Sequence, residues 1–430
     1  MRKIAAGEPE KNSWSQALKM GLPLAGGVLP LLLIVPKMLS ETGMNFAGVY
    51  TATALTICLG ALVAAYYKLP YLLAPSYVIT AWLVYIAGVA KGIAWQQLLG
   101  LNLVVSLLSL LLLKIFSWSK KIMKCLPLFL LQGLPVGLGL MLIVMGLQLG
   151  RVVISSPTTV TMLGNFQDPL AYFGTAGIII MLVLMVRQIT GWIFWSMLVT
   201  ALLALFEGFW VIPDAPFFLP EGLDKTVLAL TFSADTVKII NILIETGLTL
   251  FLLLATINFT VSKAIADNDN EKAEKILSLT YVLNSLGAIL GSPVLIVSPL
   301  SAANLNSSKA EHKIALVIAA FMLLALFIEP IAASLADFPV MLVPVLVGIG
   351  IMLIKKYLNC AQAAGEDYER IAQLTLWLMM ILSMNMAAAV GAALGIYCLL
   401  ATVKGRYREI PAAAWFITLL YILYMFYGAI

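Results

Sequence analysis

The chain has 430 residues, of which 62% are hydrophobic and only 11% are charged, and its mean hydropathy is +1.01. A soluble domain carries about 25% charged residues, so this composition excludes a water-soluble globular fold and indicates that lipid is part of the solvent. The net charge of +5 is modest and its Lys and Arg residues lie in short polar breaks, which does not indicate nucleic-acid binding.

Residues 1–14 form a polar tail, and we do not expect a cleavable signal peptide, because no short apolar core with a small-residue cleavage site follows it. Apolar stretches separated by short polar breaks make up the chain after this tail. A helix needs about 20 residues to cross a bilayer. Two stretches, 76–89 and 299–308, are too short or too polar for an ordinary crossing, and the run 411–429 either spans or lies in the interface. The ordinary crossings are predicted at 15–38, 46–67, 95–117, 126–148, 168–187, 190–210, 236–262, 274–291, 311–335, 339–357, 369–383 and 385–403.

The order of these segments predicts an all-α integral membrane protein with fourteen transmembrane elements. A Pro-rich connector, residues 211–235, separates a first half, 15–210, from a second half, 236–403. Seven elements in each half give the two halves opposite orientations, which is an inverted repeat. Lys and Arg concentrate in the loops on the side of the N-terminus, so the tail and the basic segment that opens 404–430 are expected in the cytoplasm and the connector outside.

The two short segments are the third element of each half, and each carries Pro before a polar start of a helix. Matched interrupted segments are the sequence feature that indicates a transporter site. We expect two strand-then-half-helix elements that meet in mid-membrane and pair their extended backbones, because lipid cannot satisfy open backbone groups. The alternative is a pair of ordinary short helices. A solute at their tips would meet backbone N–H groups and the hydroxyls of Ser76, Thr80, Ser298 and Ser301.

At these residues the chain resembles the nucleobase–cation symporters (the xanthine/uracil permease superfamily), in the branch of the hypoxanthine, adenine and guanine permeases. The most specific similarity is the segment 156–164, which reads Ser-Pro-Thr-Thr-Val-Thr-Met-Leu-Gly. Weaker pieces fall in the right order along nearly the whole chain: Ala74-Pro75 with Ala81-Trp82, Ser262-Lys263-Ala264, and the tail from Lys404 to Glu409.

The resemblance implies a fold of two inverted seven-helix repeats, divided into a core domain that holds the substrate and a gate domain. It also implies a homodimer in a bacterial cytoplasmic membrane, elevator-type alternating access and a purine-like nucleobase as the small-molecule substrate. The substrate-binding residues that it suggests, together with those argued from the half-helices, are Ser76, Tyr77, Thr80, Thr249, Leu252, Leu253, Ser298, Leu300, Ser301 and Asn304.

The chain departs from the family at its membrane carboxylates. The aligned stretches Thr249–Thr256 and Leu300–Asn304 contain no acid. One nearby acid remains, because Glu245, Thr249, Leu252 and Thr256 share one helical face, so Glu245 and Thr256 are the candidate coupling residues for H⁺ or Na⁺. Glu245 is equally compatible with a place at the outer interface. Loss of the acids makes the site more positive, which keeps an anion transporter of the sulfate/bicarbonate type, or a transport-impaired descendant, as alternatives.

An enzyme is not expected, because the sequence offers no Ser/His/Asp set, metal cluster or phosphate loop. His312 is the only histidine, and the four cysteines show no metal-site spacing. We therefore expect no cofactor and no metal, with the lipid bilayer as the surrounding partner.

Overall fold

The computed structural model describes residues 14–69, 71–116, 127–156, 159–189, 191–232, 246–266, 269–304, 311–362, 365–408, 410–411, 414–415, 418–419 and 421–422. Across these residues the structure is mostly helical. The predicted cytoplasmic tail therefore lies almost entirely outside the described residues, as do most of the segment 411–429 and Glu245.

In chain order the α-helices are α1 (Trp14–Ser40), α2 (Phe46–Tyr67), α3 (Tyr77–Ala81), α4 (Trp95–Phe116), α5 (Leu128–Leu149), α6 (Pro169–Val186), α7 (Trp192–Phe206), α8 (Leu248–Ile265), α9 (Asn270–Leu290), α10 (Pro299–Asn304), α11 (Glu311–Ala325), α12 (Glu329–Ala336), α13 (Val343–Gln362), α14 (Asp367–Ser383) and α15 (Met386–Val403). The strands are β1 (Leu73–Pro75), β2 (Val153–Ser156), β3 (Val160–Leu163) and β4 (Leu295–Val297). A π-helix, Trp82–Ala90, continues α3 directly.

Polar residues at the ends of the apolar runs explain several of these boundaries. Asn45 caps α2 by accepting a hydrogen bond from the Gly48 N–H, and Lys68 ends it in the left-handed conformation. Asp269 caps α9 in the same way, and Gly291, with φ +94°, ends that helix immediately before the second short element. Because a glycine takes this conformation without steric cost, the chain can leave α9 sharply and enter β4.

Seven helices in the part of the chain that the structure describes are long and apolar enough to cross a membrane. They are Ala17–Ser40, Phe46–Tyr67, Trp95–Lys114, Gln132–Leu149, Pro169–Val186, His312–Ala336 and Pro339–Asn359. Shorter apolar helices cover Tyr77–Ala90, Trp192–Phe206, Thr249–Lys263 and Ala388–Val403. The chain is therefore an integral membrane protein with many apolar helices.

The structure differs from the sequence prediction at two places. The predicted crossing 311–335 is not one regular helix, because α11 ends at Ala325, a 3₁₀ turn covers Leu326–Ile328, and α12 begins at Glu329. Pro330 is the reason, since it has no N–H for the preceding turn. The prediction of an all-α chain also omitted the antiparallel hairpin of β2 and β3, in which Val153 pairs with Leu163 and Ser156 with Val160.

The helices pack in two groups. In the first group, α2 packs against α11 and α1, and α4 and α8 pack against α9. In the second group, α5 packs against α13 and α14, α6 packs against α7 and α13, and α14 packs against α15. The groups meet through smaller contacts of α1 with α7, α10 with α13, and α8 with α5 and α15. The two short elements belong to the first group and face this junction.

Candidate functional site

The two short elements meet as the sequence predicted, through an antiparallel ladder. Leu73 lies opposite Val297, Ala74 opposite Ile296 and Pro75 opposite Leu295. The ladder extends by one bond at each end: the Ser76 N–H donates to the Val294 carbonyl at 3.0 Å, and the Ser298 N–H donates to the Leu72 carbonyl at 2.8 Å. All six strand residues are buried. The ladder therefore gives extended backbone in the interior the partners that lipid cannot offer.

Ser76 and Ser298 lie where each strand turns into its helix. The Ser76 hydroxyl accepts a hydrogen bond from the Ile79 N–H at 3.3 Å, and the Ser298 hydroxyl accepts one from the Leu300 N–H at 3.3 Å. Both residues are buried. Each hydroxyl therefore caps its own helix.

The other predicted hydroxyls of these elements have different environments. The Ser301 hydroxyl donates to the Leu72 carbonyl at 3.5 Å, so it ties α10 to the start of β1. The Thr80 hydroxyl is buried and has no hydrogen-bond partner within the described part of the chain, and the same holds for the indole N–H of Trp82. A buried polar atom without a partner requires an explanation. Both atoms lie where α3 passes into the π-helix, a conformation frequently found at functional sites.

Helix α8 brings the remaining predicted residues toward the ladder, since it contacts β4, α10 and α3. Thr249 and Leu253 are buried, and Leu252 is half-buried. Tyr77, the first residue of α3, is also half-buried. Thr256 and Asn304 lie within α8 and α10, but their side chains, like the whole of Glu245, are outside what the structure describes. The fold thus assembles the three elements that the sequence prediction chose.

A cavity of about 100 Å³ lies at the junction of the two helix groups, beside the first turn of α10. Among the described residues that line it, none is charged, and Leu300 alone was predicted from the sequence. The lining comes from α1, α7, α10, α13 and the residue before α7: Met20, Pro23, Leu24, Gly27, Gly191, Trp192, Ile193, Leu300 and Met352. Sequence analysis missed most of them because these helices are far apart in the chain and carry ordinary apolar residues here.

Helix α1 approaches α10 closely at this cavity. A Cβ atom on Gly27 would lie 2.9 Å from Cδ1 of Leu300, a separation that real Cβ atoms do not show. On the other side of α1, a Cβ atom on Gly26 would lie 2.4 Å from Cδ2 of Phe194 on α7. Adjacent glycines thus allow α1 to pass between the half-helix and the second helix group.

Across the described ranges, no group of three or more His, Cys, Asp or Glu side chains is placed to hold a metal ion. What the arrangement offers instead is a small, mostly apolar chamber whose described lining carries no charge and which the half-helix α10 reaches through Leu300. Such a chamber can bind and enclose a small neutral solute.

Comparisons of the sequence give relatives along nearly the whole chain. A guanine/hypoxanthine permease, PbuO of Bacillus subtilis, is 24% identical over 97% of this chain and 98% of its own length. The adenine permease AdeP of Escherichia coli is 22% identical over 91% of this chain and 88% of its own. A Methanocaldococcus jannaschii protein, described as a permease without a stated substrate, is 26% identical over 88% of this chain and 87% of its own. No protein-family model matches the chain.

Comparisons of the fold give two anion-transporter structures. The transmembrane domain of the cyanobacterial bicarbonate transporter BicA has a TM-score of 0.54 at 14% identity, and covers 90% of this chain and 99% of its own. The SLC26A9 structure has a TM-score of 0.55 at 12% identity, and covers 92% of this chain and 67% of its own. At such low identity, these likenesses concern the fold alone. The relatives in sequence are named as permeases and not as enzymes. The chain is a membrane transporter that is similar over most of its length to members of the nucleobase permease family.

Proposed function

We propose that this permease carries a purine-like nucleobase and holds it between the tips of α3 and α10 and the cavity beside Leu300. The observation that carries the proposal is the absence of charge among the described residues that line this cavity. A flat, neutral base suits such a chamber. The relatives named as adenine and guanine/hypoxanthine permeases, which match nearly the full length of the chain, support the same substrate class.

The chamber offers separate groups for the faces and the edges of a base. Trp192 provides an aromatic ring, and Leu300 and Met352 provide apolar surface. Stacking of a base on an aromatic ring is worth about 1–3 kcal/mol. The edge of the base would meet the polar groups of the two half-helix elements, of which the Thr80 hydroxyl is buried and has no protein partner among the described residues. Tyr77, Thr249, Leu252, Leu253 and Asn304 complete the proposed set.

An anion is the second candidate, because the fold neighbours are anion transporters. Its binding would require positive charge near the cavity. The described lining residues provide none, and neither α3 (Tyr77–Ala81) nor α10 (Pro299–Asn304) contains a basic residue. A neutral base avoids the cost of removing an ion from water without a counter-charge, so the nucleobase is the better supported of the two.

For the mechanism we propose elevator-type alternating access. The first helix group would be the core domain and the second the gate domain of an inverted repeat with fourteen elements. The helices of the two groups contact each other less than they contact helices of their own group, which supports relative motion of the groups. On this proposal the core domain carries β1–α3 and β4–α10 together, so the solute moves with the half-helices while the gate domain stays in place.

Coupling, assembly and orientation extend the proposal. Glu245 and Thr256 remain the candidate groups for coupling to H⁺ or Na⁺, in a homodimer whose N-termini face the cytoplasm. Cross-linking in native membranes, resolved by mass on a denaturing gel, tests the dimer. Labelling of a cysteine placed at residue 10 with a membrane-impermeant maleimide tests the orientation, because a cytoplasmic residue reacts only after the membrane is opened.

Uptake into proteoliposomes tests the substrate. The purified chain should accumulate labelled adenine, guanine or hypoxanthine, whereas sulfate and bicarbonate should not enter faster than into empty vesicles. An imposed proton or sodium gradient then reports coupling. Uptake of an anion without uptake of any base would overturn the nucleobase proposal in favour of the second candidate.

A further inference from the structure

The backbone N–H groups of β4 have two kinds of partner. In an antiparallel pair, successive residues alternate between bonding to the partner strand and pointing away from it. The bonds from Ser76 to Val294 and from Ser298 to Leu72 place residues 294, 296 and 298 at the bonded positions. The N–H groups of Leu295 and Val297 therefore point away from β1, into the protein interior, and need partners from elsewhere.

Two asparagine side chains supply those partners. Oδ1 of Asn284, on α9, accepts from the Leu295 N–H at 2.9 Å. Oδ1 of Asn258, on α8, accepts from the Val297 N–H at 2.9 Å. Both asparagines are fully buried. Helices α8 and α9 thus hold the outer edge of β4 at two positions, two residues apart.

Asn284 is itself oriented by α4. Its Nδ2 donates to Oδ1 of Asn102 at 3.0 Å and to the Ser106 hydroxyl at 2.9 Å, and all three side chains are buried. Because both hydrogens of the amide are used in this way, the oxygen is fixed toward Leu295. Three helices of the first group therefore determine where one N–H group of β4 points.

In the first short element, the residue opposite Leu295 needs no hydrogen-bond partner for a backbone N–H. The residue there is Pro75, which has no N–H to satisfy. Asn258 and Asn284, which we call the polar clamp, therefore act on β4, the strand that leads into α10. That helix carries Ser298, Leu300 and Ser301, and Leu300 lines the cavity.

We infer that Asn258 and Asn284 are positioning residues for substrate binding: they fix β4, and through it the tip of α10, at the place where the solute is held. This inference rests on the proposed function for the identity of the solute. The hydrogen bonds of the clamp to β4 do not depend on which solute is carried. Loss of either oxygen leaves a buried N–H without a partner in a dry interior, so β4 loosens and α10 loses its fixed direction.

Two readouts on folded protein test the inference. In Asn284→Leu, which has similar volume and no acceptor, hydrogen exchange of the peptide covering 291–304 should accelerate at least tenfold without any substrate. KM for the base that wild type transports should rise at least tenfold, with a smaller change in Vmax. In Asn284→Asp, one carboxylate oxygen still accepts from the Leu295 N–H and the other can accept from the Ser106 hydroxyl, so both readouts should return toward wild type.

Controls separate the clamp from general stability and from the substrate proposal. Ser109→Ala removes a buried hydroxyl of α4 that bonds only to its own helix at Val105, so it should change neither readout. Asn258→Leu is the second variant if Asn284→Leu does not fold. Unchanged exchange over 291–304 in a folded Leu variant, or accelerated exchange with an unchanged KM, would overturn the inference. Failure of wild type to carry any base would overturn only the proposed function, because the exchange measurement needs no substrate.

Discussion

Gly139 and Gly350 face each other where α5 crosses α13. A Cβ atom on Gly139 would lie 2.7 Å from the Gly350 carbonyl oxygen, and a Cβ atom on Gly350 would lie 2.5 Å from the Gly139 carbonyl oxygen. In lipid, association of helices depends on such close backbone packing between small residues. The extensive packing of α5 on α13 inside the second helix group is thus possible only without side chains at this crossing.

Gly350→Ala should therefore destabilise the protein. The added methyl group would meet backbone and the Ile143 side chain, and overpacking of this kind costs about 1–3 kcal/mol. We expect a clear fall of the melting temperature in detergent, measured by fluorescence. Gly395→Ala is the matched control, because its nearest neighbour atom would be 4.0 Å away. Equal melting temperatures for the two variants would contradict the packing argument.

Trp192→Ala should weaken transport of a purine base. Removal of the ring that lines the cavity takes away about 1–3 kcal/mol of stacking, which corresponds to a rise of KM by about 5- to 150-fold. Trp192→Phe should retain much of the affinity. Trp195→Ala, at a position that is 45% exposed, should transport normally. An unchanged KM in Trp192→Ala would place the base elsewhere.

A disulfide between α1 and α7 should stop transport if the two helix groups move relative to each other. The Cβ position of Gly26 is 2.7 Å from Cγ of Phe194, which puts the two Cβ atoms within reach of a disulfide. In Gly26→Cys/Phe194→Cys, oxidation should abolish uptake and a reductant should restore it. Phe194→Cys alone should be insensitive to the oxidant. Full transport by the cross-linked double variant would rule out motion at this contact.

Asp168 should make stability depend on pH in the acid range. As the cap of α6, its carboxyl accepts a hydrogen bond from the Leu170 N–H, and Arg151 lies 3.0 Å away. The hydrogen bond first, and then Arg151, hold the pKa of this carboxyl below its usual value of 3.8. Because the folded pKa is the lower one, the stabilisation is complete above 3.8 and is lost as the pH falls through the folded pKa. The melting-temperature difference between wild type and Asp168→Asn should thus shrink between pH 5 and pH 2. A constant difference would mean that the carboxylate charge contributes nothing.

Parts of the fold were predictable because local residues determine them. The predicted crossing 46–67 agrees with α2, since Asn45 and the left-handed Lys68 bound an uninterrupted apolar run. The ladder of β1 and β4 followed from one physical requirement, that extended backbone in lipid needs a partner. The hairpin of β2 and β3 was missed, although Val152, Val153 and Ile154 were a signal for strand.

The site was less predictable, because its residues depend on which helices meet. The sequence predicts that the hydroxyls near the half-helices bind the solute. In the structure, the hydroxyls of Ser76 and Ser298 cap their own helices. Nothing local in the sequence indicates that the side-chain oxygens of Asn258 and Asn284 both point at β4. Trp192 and Gly27 were missed for the same reason, since the contacts of α1, α7 and α10 join segments that are far apart in the chain.

The ladder between Leu73 and Val297 also has a consequence for biosynthesis. When the ribosome has completed the first short element, its partner strand is more than two hundred residues away from being translated. Until that strand arrives, the backbone of Leu72 and Ser76 must be kept hydrated or shielded during insertion, because hydrocarbon offers it no hydrogen bonds. A nascent chain halted before β4 should therefore be a substrate for membrane quality control, however well its earlier helices have inserted.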